Sequence, residues 1–392
     1  MLFNKKVKFV LVLKDGDKIH DSNCDGISYW LSKLGGMEIL ETKIPKLSGV
    51  QKTKVQNASR NLMFANRRDA REWLAASNGD MLVRHVGQLF AERNIREGSE
   101  EVLMISSGSS SAPYNLALGL IWRCYSTTIN TPEPLGTEPF DFAIIPDNEF
   151  PERKTNIFTI TGNMSDIDNS KIESAKERYL TEYPPKAEKV WSLIIGGNNG
   201  EYCITSEWIK RKIVHLSLIA EQEKAELLIL VLGHLEPEAV KTIKAIEYHA
   251  TGSVKVFIKE ENSYDPRIAL YGLSQQIFCT EDQYDTMIEI LTAGKRVIVL
   301  RTAYKKGINS LLQETAEKLV LTGALSSRML WGRKRQDLFI DNLIRKNYVI
   351  EFRDWISTRN QETFSWTMQD TVNFNEARRS AKWIMDNFTT EV

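Results

Sequence analysis

Two groups of residues in this chain have types and spacings that suit chemistry. The first is Asp15 with His20 five residues on, and Asp17 and Asp21 beside them. A carboxylate next to an imidazole is the pairing that general acid–base catalysis uses. The same acids with His20 would also suit a divalent ion, although consecutive loop acids are more often only solvated. The second group lies in 279–297, CTEDQYDTMIEILTAGKRV. An apolar stretch ends at Cys279, and Glu281, Asp282 and Asp285 open a segment of helical pattern. Glu289 stands one heptad beyond Asp282, which predicts one shared helix face. There Glu289 can accept hydrogen bonds from ribose or sugar hydroxyls. The plainer reading is that acids at a helix start complement its dipole. Asp147 and Glu149 add two more carboxylates beyond a strand end.

These groups need loops to hold them. Val190 to Ile195 is an apolar run that ends in Gly196-Gly197-Asn198-Asn199-Gly200, with Tyr202 close behind and helical spacing from Trp208. A strand, a glycine loop and a helix start place backbone amides where an anion can bind. An ordinary strand-to-helix turn, with glycines that only relieve strain, fits the same residues. Ser106-Ser107-Gly108-Ser109-Ser110-Ser111 after Glu101–Ile105 is a second candidate loop, able to bind phosphate or hydroxyls or simply to cap a helix. The chain has no GxSxG elbow, Walker loop, HExxH or Rossmann GxGxxG after its first strand.

The elements that position these loops alternate. Strands are predicted at Val7–Leu13, Met37–Thr42, 101–105, 124–130, 141–145 and 156–160, with helices over 19–34 and 51–98 and a further one from Tyr114. Residues 164–188 are charged and end in Pro184-Pro185, which reads as a helix and linker. The cycle then restarts with strands at 190–195, 226–232, 254–258, 276–279 and 296–300. Such alternation implies parallel sheets. The fold class is therefore α/β, in two domains. The expected domains are 1–175, 186–330 and a helical extension over 331–392 that packs across both. Its last helix, 366–388, is apolar at Val372, Phe374, Ala377, Ala381, Trp383, Ile384 and Phe388, and is predicted to dock on the core.

At 392 residues, two domains are the natural expectation. Lys plus Arg and Asp plus Glu both number 51, so no basic excess points to nucleic acid. The four cysteines are scattered without a CxxC pair, which argues against zinc and disulfides and for a reducing, cytoplasmic setting. No apolar run reaches membrane-spanning length. Arg328, Trp331, Arg333, Lys334 and Arg335 form a basic-aromatic patch that would suit contact with anionic lipid at the inner membrane face.

Several segments together resemble a known family. Asp15-Gly16, His20, Asn23 and Gly26 are similar to the opening motif of the mitochondrial fission Elm-type family, found widely in bacteria, with Asn23 at a glutamine position. Ser106 to Ala112 resembles its strand-end loop, with Ser109 where a basic residue is common. Phe140 to Asn148, Asn156 to Gly162, and Ile195-Gly196-Gly197 with Tyr202 follow in order, and Asp282, Glu289, Gly294 and Val297 match without a gap. Gly233-His234-Leu235 replaces the family's Ser-Arg-Arg, and Gln283-Tyr284-Asp285 its Ser-x-Ser. The resemblance spans about residues 8–325.

What the resemblance implies is a GT-B-like glycosyltransferase build, two Rossmann-like domains with a terminal helix returning to the first, with no cofactor beyond a nucleotide-sugar substrate and no metal. The donor would contact Gly196, Gly197, Asn198, Asn199, Tyr202, Gly233, His234, Thr280, Asp282 and Gln283. A surface glycan or lipid-linked acceptor would contact Gly16, Asn23, Ser106, Ser107, Gly108, Ser109 and Asp147. Asp15 or His20 would act as base, and Glu289 would hold donor hydroxyls. A non-catalytic binding protein of the same build and a nucleotide-sugar epimerase are the alternatives.

Overall fold

A computed structural model describes residues 7–250, 252–261, 264–359 and 374–388. The chain forms two compact units, Met1–Asp166 with Asn375–Val392, and Ile167–Phe374.

In the first unit the chain runs β1 (Phe9–Lys14), α1 (Lys18–Gly35), β2 (Glu38–Lys43), α2 (Gly49–Ala58), α3 (Arg67–Ala76), α4 (Asp80–Glu92), β3 (Val102–Ser107), α5 (Gly108–Trp122), β4 (Tyr125–Ile129), β5 (Phe142–Pro146) and β6 (Ile157–Ile160). The six strands are parallel in the order β2-β1-β3-β4-β5-β6. Their near-continuous apolar runs follow from burial on both faces. Leu11, Leu13 and Met104 pack beneath α3, α4 and α5, while Val10, Val12 and Ile105 face α1. The strand order reverses between β1 and β3. In an open parallel sheet the carboxyl ends of two such strands diverge and leave a crevice.

The second unit runs α6 (Asn169–Glu182), β7 (Lys189–Ile195), β8 (Tyr202–Cys203), α7 (Ser206–Gln222), β9 (Ala225–Val231), α8 (Pro237–His249), β10 (Val254–Ile258), α9 (Arg267–Leu273), β11 (Gln276–Thr280), α10 (Tyr284–Thr292), β12 (Val297–Leu300), β13 (Ala303–Tyr304), α11 (Ile308–Leu321), α12 (Gly332–Arg345), β14 (Val349–Glu351) and α13 (Phe352–Thr358). Six of these strands form a parallel sheet, β10-β9-β7-β11-β12-β14. Counted within the unit this is the 3-2-1-4-5-6 order of a Rossmann sheet, with its reversal between β7 and β11. The last helix, α14 (Glu376–Asn387), returns to the first unit and lies on α1. It buries Ile384 and Met385 there, each a gain of about 1.5–3 kcal/mol.

The two α/β units and the returning helix agree with the sequence. Several boundaries move. The first unit ends at Asp166, because α6 buries Ile172 and Tyr179 in the second unit instead of serving as a linker. The expected extension divides, with α12, β14 and α13 in the second unit and α14 in the first. Strand β14, only three residues long, is too short to show a period. Helix α5 begins at Gly108 rather than Tyr114, so Ser106 and Ser107 are strand and Ser109 is first helical turn. Helix α10 begins at Tyr284, so Glu281 and Asp282 precede it and the shared face of Asp282 and Glu289 does not exist. Phe374 packs in the core of the second unit rather than on the first, and Val372 lies outside the described residues.

Candidate functional site

Each sheet holds a built cluster at its reversal point. In the second unit, β7 ends at Ile195, just before Gly196, and β11 ends at Thr280. The Gly196 N–H donates to Thr280 Oγ1 at 2.9 Å, and the Gly197 N–H donates to Asp282 Oδ2 at 3.0 Å. A Cβ at Gly196 would fall 1.7 Å from that same carboxylate oxygen, and one at Gly197 would fall 2.6 Å from the His234 nitrogen. The loops after β7 and β9 therefore close on one another through backbone, where only glycine fits at Gly197, and the loop after β11 joins them through the Thr280 and Asp282 side chains. The amides most suited to an anion are already satisfied within the protein. An incoming phosphate has either to displace Asp282 or to sit further along, toward the start of α10. Oδ1 of Asp282 is buried and has no hydrogen-bond partner.

The remaining expected donor residues divide by role. Asn198 Oδ1 accepts from the Ile204 N–H, and Asn199 Oδ1 accepts from those of Glu201 and Tyr202. Both asparagines thus shape the loop. Tyr202 is buried and its hydroxyl donates to Gln336, which makes it framework. Gln283 donates to Asp282 at 3.2 Å. His234 is largely exposed, 3.3 Å from Glu260.

Glu289 is held from another helix. Tyr271 of α9 donates its hydroxyl to Glu289 Oε2 at 2.7 Å, and Arg267 Nη1 stands 3.7 Å from the same oxygen. Burial, then Glu289, pushes the Tyr271 hydroxyl well above its ordinary pKa, so it stays a donor. Burial opposes the charge on Arg267, but Glu289, Tyr271 and Asp265 outweigh it. Glu289 is thus an oriented carboxylate that remains partly exposed, suited to a diol. Arg267 and Tyr271 were missed in the sequence, although their spacing of four places them on one helix face. Glu281 is not a helix-start acid. It is fully buried, accepting from the Thr302 N–H at 2.7 Å and from Arg301 at 3.1 Å. Arg301 also reaches Asp337, Asp341 and Glu351.

In the first unit, β1 delivers Asp15 and the first turn of α1 delivers His20. Asp17 caps that helix, accepting from the N–H groups of Ile19 and His20. Nδ1 of His20 lies 2.8 Å from Asp15 Oδ2, and Asp15 Oδ1 accepts from the Asp17 N–H. The hydrogen bond to Asp15 raises the pKa of His20 against its burial. Burial opposes the charge on Asp15, but His20 and the Asp17 amide lower its pKa below the usual value. The ring of His20 rests on Gly108, the first residue of α5. A Cβ there would lie 2.3 Å from Cε1 and 2.5 Å from Nε2, and the residue has φ +79°. Beside the pair opens a cavity of about 300 Å³ lined by Asp15, His20, Pro45, Lys52, Ser110 and Tyr114, among others.

The expected acceptor residues separate in the same way. Asp15, Gly16, His20 and Gly108 come together. Asn23 is fully buried and accepts from the Met164 N–H at 2.8 Å, so it cannot meet a ligand. Ser106 is fully buried and hydrogen-bonded to Asn115. Ser107 Oγ reaches Asn130, whose amide donates to Glu149 at 3.0 Å, a chain of contacts across the ends of β3, β4 and β5. Asp147 opens the turn after β5. Asn130 was missed; it has φ +65° at a strand end, a conformation asparagine tolerates. Among the described residues no group of three or more His, Cys, Asp or Glu side chains is placed to hold a metal ion.

Residues 42–388 match the family described as Mitochondrial fission ELM1. The chain belongs to this family. The match covers the whole second-unit cluster and begins after Asp15 and His20. Curated protein sequences give no match. Among solved structures, the chain is similar to UDP-GlcNAc 2-epimerase from Methanocaldococcus jannaschii, at 10% identity over 96% of this chain and 99% of that one, with a TM-score of 0.47. It is also similar to the Neisseria meningitidis UDP-GlcNAc 2-epimerase bound to UDP-GlcNAc, at 13% identity over 98% and 99% with a TM-score of 0.43. MurG of Acinetobacter baumannii gives 12% identity over 98% and 100% with a TM-score of 0.37.

The basic-aromatic patch expected of this ELM1 family member is not a free cationic face. Lys334 pairs with Glu317 and Arg333 with Asp337, and both are mostly buried. Trp331 remains exposed, its indole N–H toward Asn309.

Proposed function

We propose that this chain is a glycosyltransferase, taking a nucleotide-activated sugar on its second unit and the hydroxyl of a glycan or lipid-linked acceptor on its first. The observation that carries the reading is the Asp15–His20 pair, seated on Gly108 at the mouth of a cavity. With Nδ1–H directed at Asp15, Nε2 holds the lone pair that can take a proton from an acceptor hydroxyl. The acceptor oxygen then bonds to the anomeric carbon as the bond from that carbon to the phosphate oxygen breaks. The nucleotide leaves with the electron pair. Glu289, oriented by Tyr271 and Arg267, accepts hydrogen bonds from ribose or sugar hydroxyls. The start of α10 offers its dipole to the leaving phosphate. Neither step as written calls for a metal ion.

A second reading, a relative that binds without turnover, is favoured by one feature. Asp282 occupies the Gly197 amide, and Asp285 stands in the first turn of α10, two acids near where a diphosphate would lie. One experiment separates the two. The protein is incubated with UDP-, GDP- and CMP-sugars and a membrane glycolipid extract, and nucleotide release is measured. Transfer predicts release from one donor that falls about 100-fold or more in His20→Ala. A donor that raises the melting temperature without being consumed supports binding alone. If no nucleotide-sugar is consumed or bound, both readings fail.

A further inference from the structure

Helix α11 is built inside out. Its inward side carries Gln313, which donates to Glu201 at 2.9 Å, with Ala316 beside it; both are buried. Glu317 pairs with Lys334 of α12, and the Lys305 amide just before the helix donates to the Glu201 carbonyl. These polar clamps fix the helix. Its outward side is apolar: Ile308 is 80% exposed, Leu311 63%, Leu312 55% and Leu319 41%. At 3.6 residues per turn these four fall within about 100° of arc. Met329 and Trp331, also exposed, follow in the next segment. A soluble helix normally turns such a stripe to the core, and an exposed one marks an interaction surface.

Charge says what the surface meets. Lys305 and Lys306 precede the stripe, Lys318 flanks it, and all three are exposed. The acids of the helix, Glu314 and Glu317, lie off the stripe, and Glu317 is already paired. Leucine and isoleucine on one face, lysines at its edge and a tryptophan nearby are the composition by which helices that lie in the plane of a membrane interface are recognised. Among the described residues no helix is long and apolar enough to cross one.

We propose that the outer face of α11 docks on a bilayer containing anionic lipid, seating Ile308, Leu311, Leu312 and Leu319 among the acyl chains and Lys305 and Lys306 against the headgroups. This does not depend on the reaction proposed above, and it moves the membrane contact from the ion-paired residues of α12 to α11. The test is co-sedimentation of the full chain with vesicles of phosphatidylcholine alone, and with one-third phosphatidylglycerol. Binding is expected to the anionic vesicles and to fall with added salt. Lys305→Gln with Lys306→Gln should weaken it about thirtyfold, at about 1 kcal/mol for each cation. Leu311→Gln with Leu312→Gln should abolish it, while the melting temperature stays unchanged because both side chains face solvent. Failure to bind either vesicle overturns the proposal, as does binding that survives the leucine pair. So does a dimer, seen by light scattering without vesicle binding, that the same pair dissociates; the face would then join two copies of the chain.

Discussion

Replacing Gly108 by alanine tests whether the first-unit cluster is built as described. Two costs add. Alanine at φ +79° pays about 1–2 kcal/mol for left-handed backbone. Its Cβ, 2.3 Å from His20 Cε1, forces the imidazole off Asp15, and a hydrogen bond to a charged group contributes about 1.5–3 kcal/mol. The total is about 2.5–5 kcal/mol, or roughly 5–20 °C in melting temperature for a unit of this size. The two costs can be told apart. In the double variant Gly108→Ala with Asp15→Ala the hydrogen bond is already lost, so only the backbone part of the Gly108→Ala cost should remain. Differential scanning calorimetry measures stability, and proton NMR titration, with His20→Ala for assignment, follows the ring. His20 should titrate above its ordinary value in the parent and closer to it in Gly108→Ala. A variant as stable as the parent, with His20 still raised, would refute the packing of His20 on Gly108.

Other consequences follow from the same geometry. Asp15→Asn should destabilise more at pH 5.5 than at pH 9 in urea titrations. The raised His20 contributes stability that is complete below about pH 6.5 and fades as pH climbs through its folded pKa, while the lowered Asp15 contributes above about pH 4 and loses its part only in stronger acid. Gly196→Ala would drive a methyl into Asp282, and an overpacking cost of about 1–3 kcal/mol or more should appear as a lower melting temperature. Arg301→Met takes the guanidinium from the buried Glu281 and from Asp341 and Glu351, while Asp337 keeps Arg333, so a loss of about 3–5 kcal/mol is expected. Burial already raises Glu281 and Asp337, so the folded variant should take up protons and regain stability as the pH falls toward 5; stability that keeps falling would contradict the cluster.

The parts of the fold legible in the sequence were those that local pattern dictates. Parallel strands buried on both faces read as short apolar runs, and their alternation with helices announced two sheets. Asp15 and His20 are five residues apart, so their meeting across one turn was readable too. What local pattern does not carry is which distant group satisfies a loop. The Gly197 amide meets Asp282, eighty-five residues on, and that contact turns an expected anion cradle into a closed joint. Glu281 looked like a dipole-capping acid because its burial depends on Thr302 and Arg301, across β12. Asn23 and Ser106 matched motif positions but point inward, and a motif does not say which way a residue on a buried helix or strand faces.

In the proposed function, the second unit holds a nucleotide-sugar with the Glu289 carboxylate aimed at its hydroxyls. Saturation-transfer difference NMR with a mixture of UDP-, GDP- and CMP-sugars tests it directly, comparing the parent with Glu289→Gln, which keeps an acceptor for Tyr271. Transfer is expected to the ribose and sugar protons of one nucleotide-sugar, with affinity about tenfold weaker in the variant, the cost of a lost charge-assisted bond. Absence of transfer to every nucleotide-sugar, or an equal signal in Glu289→Gln, would contradict it.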